Sequence, residues 1–166
     1  MGAVTARILI AGVGNIFLGD DGFGPEVIRH LGRHFDGDDS VRVADYGIGG
    51  MHLAYDLLDD WSALVLVDAL PNRGAPGSLH VFDADHESLG ADSALDAHGM
   101  DPTAVFAGLS TLGGTAPRTV VVGCESLDTD EGIGLSEPLR AALPAAVRAV
   151  QSAVALLRGR PAAREA

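Results

Sequence analysis

The segment from Ile8 to Gly24 constrains the fold more than any other part of the chain. It reads ILIAGVGNIFLGDDGFG, which is an apolar run, a glycine-rich turn, two adjacent acids and further glycines. A short apolar run before turn residues is typical of a buried strand, and residues from Phe23 to Phe35 then take the apolar spacing of a helix. In an open α/β sheet, ligands bind beyond the carboxyl ends of the strands. Asp20 and Asp21 are therefore the first candidates for chemistry.

A dinucleotide site is the obvious alternative for such a turn, and the residues argue against it. Gly12 and Gly14 begin a G-x-G pattern, but Phe17 stands where the third glycine of G-x-G-x-x-G would fall. Acids at the start of the following helix would also repel a pyrophosphate from the helix N-terminus. We therefore expect no nucleotide cofactor.

Length and charge exclude several classes of function. The chain has 166 residues, which predicts a single domain over 1–166, with flexible tails at 1–6 and 159–166. Its net charge of -12 argues against nucleic acid or an anionic membrane as a partner. The sequence shows no signal-peptide pattern, so we expect a cytoplasmic protein. The single cysteine, Cys124, is best explained as a small buried residue at a strand end.

The remaining apolar patterns complete an α/β fold of five strands and four helices. The predicted strands are Arg7–Val13, Val41–Asp45, Ala63–Val67, Ser78–Asp83 and Arg118–Cys124, and the predicted helices are Phe23–Phe35, His52–Asp60, Thr103–Leu112 and Ser136–Leu157. Only a short loop joins the third and fourth strands, whereas a parallel neighbour needs a crossover of a dozen or more residues. Strand four is therefore expected to be antiparallel, at or near an edge of the sheet.

Three polar residues are expected to meet above one edge of this sheet. Asp21 follows strand one, Asp68 ends strand three, and His98 precedes the helix that leads to strand five. Two carboxylates and an imidazole, with positions left for outside ligands, suit a divalent ion such as nickel or zinc. Two other interpretations stay open at this point: Asp68 orders the following loop, and His98 is a surface or capping residue.

Several motifs, taken in order, resemble the endopeptidases that mature [NiFe] hydrogenases. The matching segments are Gly12–Gly24, Asp45–Met51, Leu66–Ala69, His98-Gly99, Gly123–Leu127 and Gly134–Ser136. These enzymes trim the C-terminal extension from the hydrogenase large subunit. The resemblance departs at one place, because the family has a proline just before the Glu-Ser-Leu motif and Cys124 stands near that position here.

The resemblance implies a fold, a metal and a set of site residues. The fold would be a three-layer α/β/α sandwich around one mostly parallel sheet with a single antiparallel strand. Asp21, Asp68 and His98 would be both the metal-binding and the catalytic residues. The metal would be nickel already inserted in the large-subunit precursor, which would be the partner of a monomeric protein. Either the metal or one of the two carboxylates would activate the attacking water.

The glycine-rich segment Tyr46–Met51 permits two interpretations, a strand-to-helix turn or a bare backbone that something approaches closely. Under the second interpretation, the substrate-binding residues are predicted to be Asn15, Gly47, Gly49 and Gly50, with the precursor tail docking by strand addition. Two other functions remain possible from the sequence. One is a nickel-binding assembly factor without hydrolytic activity, and the other is an unrelated metallohydrolase that acts on small substrates.

Overall fold

The computed structural model describes residues 6–84 and 102–159, which form one five-stranded sheet with two helices on each face. The strands are β1 (Ile8–Val13), β2 (Val41–Gly47), β3 (Ala63–Leu70), β4 (Leu79–Asp83) and β5 (Arg118–Glu125). The helices are α1 (Phe23–Leu31), α2 (Gly50–Asp56), α3 (Pro102–Thr111) and α4 (Glu137–Leu157), and a short 3-10 helix, Gly19–Gly22, precedes α1. The expectation of a single domain stays a prediction.

The strand order is β2-β1-β3-β5-β4, and only β4 runs antiparallel to its neighbour. The predicted α/β/α class and the antiparallel fourth strand at the sheet edge are both confirmed. Strands β1, β3 and β5 are central and parallel, so they all end at the same edge, which we call the carboxyl edge. In sheets of this kind the carboxyl edge is where ligands bind.

The alternation of side chains along the central strands builds two separate cores. On one face, Ile8, Ile10 and Val65 pack with helices α1 and α4. On the other face, Leu9 and Leu64 pack with helices α2 and α3. All five side chains are fully buried. Because these strands are covered on both faces, their sequences are continuous apolar runs and not alternations of apolar and polar residues.

Several element ends differ from the sequence prediction. Helix α1 stops at Leu31 because Gly32 follows it with a positive φ of 55°. Strands β3 and β5 continue to Leu70 and Glu125, because the two strands stay paired to those residues. Asp68 therefore lies inside β3 and not just after it.

Helix α4 is, within the described ranges, the one helix long and apolar enough to cross a membrane by length and composition, with 21 residues. Length and apolar composition do not by themselves identify a membrane span, because the core helix of a soluble domain has both. One face of α4 packs on the sheet through buried side chains: Leu139, Ala142, Leu143, Ala146, Val150, Ala153 and Val154. The fold therefore accounts for the apolar character of α4 without a membrane.

Candidate active site at the carboxyl edge

Glycines let the start of α1 lie directly against the ends of the central strands. A Cβ added to Gly24 would lie 2.4 Å from the carbonyl oxygens of both Val13 and Val67, closer than real Cβ contacts. Gly14 has φ of 139°, and a Cβ there would lie 1.9 Å from the carbonyl oxygen of Asp21. The glycines of the opening motif thus serve close backbone packing, which brings the acidic turn onto the carboxyl edge.

Asp20, the first acid of the pair, points into the protein and is 0% exposed. Its Oδ2 accepts hydrogen bonds from the backbone N–H of Leu127 (2.8 Å) and Asp128 (2.9 Å). Ser136 donates its N–H to Oδ1 at 2.7 Å and its hydroxyl to Oδ2 at 2.8 Å. Asp20 therefore fastens the loop between β5 and α4 to the turn that follows β1.

The charge of Asp20 is stabilised by these donors. Burial raises the pKa of this carboxyl, but the hydrogen bonds from Ser136, Asp128 and Leu127 outweigh burial and bring the pKa below its ordinary value of 3.8. Asp20 is thus a permanently ionised structural anchor at neutral pH. The role of Asp20 could not be separated from that of Asp21 by sequence alone, since the partners of Asp20 lie more than a hundred residues away.

Asp21 and Asp68 lie at the carboxyl edge on neighbouring parallel strands. Gly12 of β1 pairs with Val67 of β3, so Asp68 stands level with the last residue of β1, just before the turn that carries Asp21. Asp21 is partly exposed, whereas Asp68 is 7% exposed. The structure thus brings the two predicted carboxylates to one edge, as the strand order required.

Backbone donors orient both carboxylates. The N–H of Asn15 donates to Oδ2 of Asp21 at 2.8 Å, and the N–H of Ala69 donates to Oδ1 of Asp68 at 2.8 Å. Held carboxylates of this kind can supply oxygen ligands to a divalent cation or can act as a general base. His98, the third predicted member, lies outside the described residues, as does His86. Within the described ranges, no group of three or more His, Cys, Asp or Glu side chains is arranged to hold a metal ion.

The Gly47–Gly50 segment forms a tight turn in which the N–H groups of the three glycines are already used. Gly47, with φ of 55°, donates its N–H to Oδ1 of Asp45 at 2.8 Å, and its carbonyl accepts from Gly14 at 2.9 Å. The N–H groups of Gly49 and Gly50 donate to the carbonyls of Tyr46 and Ile48. The three glycines are partly exposed and the side chain of Ile48 between them is 65% exposed, but the N–H groups of the three glycines are not open to an added strand. Substrate binding by Asn15, Gly47, Gly49 and Gly50 stays a prediction.

A second buried carboxylate, Glu125, orders the loop between β3 and β4. It is 5% exposed and accepts from the N–H groups of Arg73 (2.9 Å) and Ala75 (3.1 Å) and from Nε2 of His80 (2.8 Å). The bonds from Arg73, His80 and Ala75, in that order, lower the pKa of Glu125. The Glu-Ser-Leu motif was visible in the sequence, but the distant donors that give Glu125 its role were not.

Cys124, beside this carboxylate, is fully buried and is not a nucleophile. Burial raises the pKa of its thiol to about 12, with smaller contributions from the charges of Asp20 and Glu125. The thiol is therefore protonated at neutral pH. The prediction of a small buried residue near the end of strand five is confirmed.

Comparison with known proteins adds an activity to this geometry. Over 90% of its length, the chain superposes on 92% of the hydrogenase maturating endopeptidase HybD from Escherichia coli, with a TM-score of 0.76 and 27% identity. It is 32% identical over 152 residues to the coenzyme F420 hydrogenase subunit delta of Methanothermobacter thermautotrophicus, covering 87% of this chain and 92% of that protein. It is 26% identical over 149 residues to the hydrogenase 2 maturation protease of Escherichia coli, covering 89% and 90% of the two chains.

These similarities first define the class of protein. The chain has the fold of known endopeptidases and is a peptidase. The family is then given by the profile of the hydrogenase maturation proteases, which matches residues 25–153. That match covers well over half of the 166 residues, and the chain belongs to this family. The matched range begins after Asp21 and contains both Asp68 and His98.

Proposed function

We propose that this protein removes the C-terminal extension of a [NiFe] hydrogenase large-subunit precursor, and that it recognises nickel already inserted in that precursor. The observation that supports the proposal is the placement of Asp21 and Asp68 at the carboxyl edge of neighbouring parallel strands in a chain of this peptidase family. We also propose that the protein acts as a cytoplasmic monomer. Light scattering during size-exclusion chromatography tests the oligomeric state.

The two carboxylates would contact the nickel of the precursor together with His98. Oxygen and imidazole nitrogen are suitable ligands for nickel, and contact with a metal held by the substrate would place the scissile peptide next to the protein's own residues. The proposal needs the side-chain directions of Asp21 and Asp68 to be fixed, and the bonds from Asn15 and Ala69 provide this. In this scheme nickel is part of the substrate and no nucleotide takes part.

Hydrolysis requires that a water molecule lose a proton as it attacks the peptide carbonyl and that the departing amine gain one. Asp21 or Asp68 is suited to accept that proton, because each carries a carboxylate that is held at the carboxyl edge. The nickel of the precursor is the alternative activator of the same water. The turn Gly47–Gly50 would contact the extended tail through its exposed surface, which includes the side chain of Ile48, since the N–H groups of its three glycines serve internal bonds.

The test is mass spectrometry of a purified large-subunit precursor incubated with this protein. Nickel-loaded precursor is expected to lose a C-terminal peptide, and precursor without nickel is expected to keep its mass. Asp21→Asn, Asp68→Asn and His98→Ala are expected to lower the rate of peptide release by at least about a hundredfold, in line with the loss of a group acting at the reacting centre.

Two exposed residues provide matched controls. Asp39→Asn removes one negative charge and His34→Ala removes one imidazole, both in the exposed stretch that follows α1. Both variants are expected to process the precursor at the wild-type rate. Binding of the precursor without any change in its mass would favour the assembly factor. Cleavage that survives all three site substitutions would show that Asp21, Asp68 and His98 are not the site.

A further inference from the structure

Two loops beside the carboxyl edge carry large apolar side chains that face solvent. Ile16 and Phe17 follow β1 and are 47% and 60% exposed, and Leu127 and Ile133 follow β5 and are 51% and 78% exposed. We call these four residues the apolar platform. Surface loops are ordinarily polar, and neighbouring exposed apolar side chains mark a surface that another molecule covers.

The two loops are fixed to each other by the backbone. The N–H of Gly132 donates to the carbonyl of Phe17 at 2.9 Å, and the N–H of Gly19 donates to the carbonyl of Gly132 at 2.8 Å. Asp20, next in the chain, fastens the ends of the second loop through Leu127 and Ser136. The platform is therefore pre-organised, and a partner that binds it has little loop entropy to remove.

A chain of hydrogen bonds connects the platform to Asp21. The N–H of Phe17 donates to Oδ1 of Asn15 at 2.9 Å, and the N–H of Asn15 donates to Oδ2 of Asp21 at 2.8 Å. Only one residue, Asn15, thus separates the platform from the proposed catalytic carboxylate. A peptide held at Asp21 has this surface immediately beside it.

A groove of about 860 Å³ continues from the platform between α1, the second loop and the start of α4. Its apolar lining residues are Ile16, Pro25, Ile28, Ile133, Leu135 and Leu143. Among the lining charges, Arg29 is paired with Glu26 at 2.5 Å and Arg140 is bonded to Glu137 at 3.0 Å. The carboxylate of Asp45 also lines the groove and accepts the N–H of Gly47 at 2.8 Å. The lining carries two arginines (Arg29, Arg140) and two carboxylates (Glu26, Asp45), so neither sign of charge is in excess and the groove is suited to a neutral apolar segment.

We propose that the platform and the groove bind an apolar segment of the hydrogenase precursor next to the cleaved peptide bond. This inference rests on the proposed function, because it assigns a binding surface to the same substrate. The backbone N–H groups of Leu18 and Gly19 are used within the loops, as is that of Gly132. Recognition is therefore by burial of side chains and not by addition of a strand. Ile133 is the most exposed member of the platform and the first position to test.

The experiment measures both affinity and turnover for the large-subunit precursor. Ile133→Ser and Phe17→Ser are compared with Leu156→Ser, whose side chain is 50% exposed near the far end of α4. Leu156 lies about 30 Å along the helix from its start beside the platform. The platform variants are expected to raise Kd and KM at least about tenfold with kcat within about twofold, as for the anchor residue of an interface. The control is expected to leave all three constants within about twofold.

The outcomes separate this inference from the proposed function. Cleavage by both platform variants with wild-type KM and Kd would overturn the docking surface and leave the proposed function in place. Precursor that binds without being cleaved, and binds more weakly to Ile133→Ser, would support the docking surface and overturn the proposed function. An equal loss of affinity in Leu156→Ser would overturn the platform as the specific surface. A wild-type protein that neither binds nor cleaves the precursor would overturn both.

Discussion

Removal of the Asp20 carboxylate is the sharpest test of how the carboxyl edge is held together. In Asp20→Ala, the N–H groups of Leu127, Asp128 and Ser136 and the hydroxyl of Ser136 lose their common acceptor. The side chain is 0% exposed in the wild type, so protein atoms surround it. The variant therefore leaves a small cavity surrounded by donors.

The expected cost follows from the donors that lose their acceptor. A hydrogen bond to a charged group contributes about 1.5–3 kcal/mol, and the surface position of the loop lets water satisfy some of the freed donors. We therefore expect Asp20→Ala to lower the free energy of unfolding by about 3–5 kcal/mol, a large part of the 5–15 kcal/mol typical of a domain. For a domain of this size each kcal/mol is about 2–4 °C, so Tm is expected to fall by about 6–20 °C.

Urea unfolding followed by circular dichroism measures this change. Asp20→Asn is the milder variant, because it keeps one acceptor oxygen but turns an amide group towards backbone donors, and we expect it to fall between wild type and Asp20→Ala. Asp39→Ala, in an exposed loop, is the matched control and is expected to change stability by less than about 0.5 kcal/mol. A loss of less than about 1 kcal/mol in Asp20→Ala would refute the reasoning.

Acid provides an independent check on the same bonds. The pKa of Asp20 is lower in the folded chain than its ordinary value of 3.8, so its stabilisation is fully present above that value. It is lost as pH falls below 3.8 through the folded pKa, because the unfolded chain then takes up a proton first. As pH falls below about 4, the free energy of unfolding of Asp20→Asn is therefore expected to decrease less than that of the wild type. Parallel acid curves for the two proteins would contradict this assignment.

Three further predictions concern other described residues. Gly24→Ala is expected to cost about 3 kcal/mol or more by urea unfolding, because its Cβ would meet two carbonyl oxygens at 2.4 Å. Gly108→Ala in α3, where the nearest atom is the sulfur of the exposed Met51 side chain at 3.2 Å, is the control and is expected to cost much less, because that side chain can move aside; equal costs would contradict the close packing. Cys124 is expected to resist iodoacetamide at pH 8 in native protein and to react fully in urea, and rapid native labelling would contradict its burial. Glu125→Ala is expected to speed trypsin cleavage after Arg73 several-fold, and an unchanged rate would show that Glu125 does not order that loop.

The central sheet followed from the sequence because burial acts directly on residue type. Strand β1 is apolar at every position and β3 is apolar from Ala63 to Val67, as expected for strands covered on both faces. The link before β4 is too short for a parallel crossover, so β4 had to pair antiparallel. The placement of Asp21 and Asp68 at one edge then followed from strand order. That part of the candidate site required no knowledge of side-chain contacts.

The different roles of the two adjacent acids, with Asp20 buried as a structural anchor and Asp21 at the carboxyl edge, did not follow from the sequence. Successive residues of a 3-10 helix point about 120° apart, so one acid faces inward and its neighbour faces the edge. Which one turns inward depends on where the donors of Leu127 and Ser136 lie, more than a hundred positions along the chain. The same holds for Glu125, whose backbone donors lie about fifty positions earlier.

The bonds of Asp20 also have a consequence for synthesis of the chain. Asp20 emerges early from the ribosome, but its partner Ser136 follows 116 residues later. Translation proceeds at about 5–20 residues per second, so several seconds or longer pass between synthesis of the loop after β1 and synthesis of the segment that holds it. During that interval the carboxylate of Asp20, which is buried in the folded chain, and the apolar side chains of Ile16 and Phe17 lack the neighbouring loop. A nascent chain that stops before Ser136 therefore carries both proposed catalytic carboxylates, Asp21 and Asp68, but lacks the anchored loop beside them.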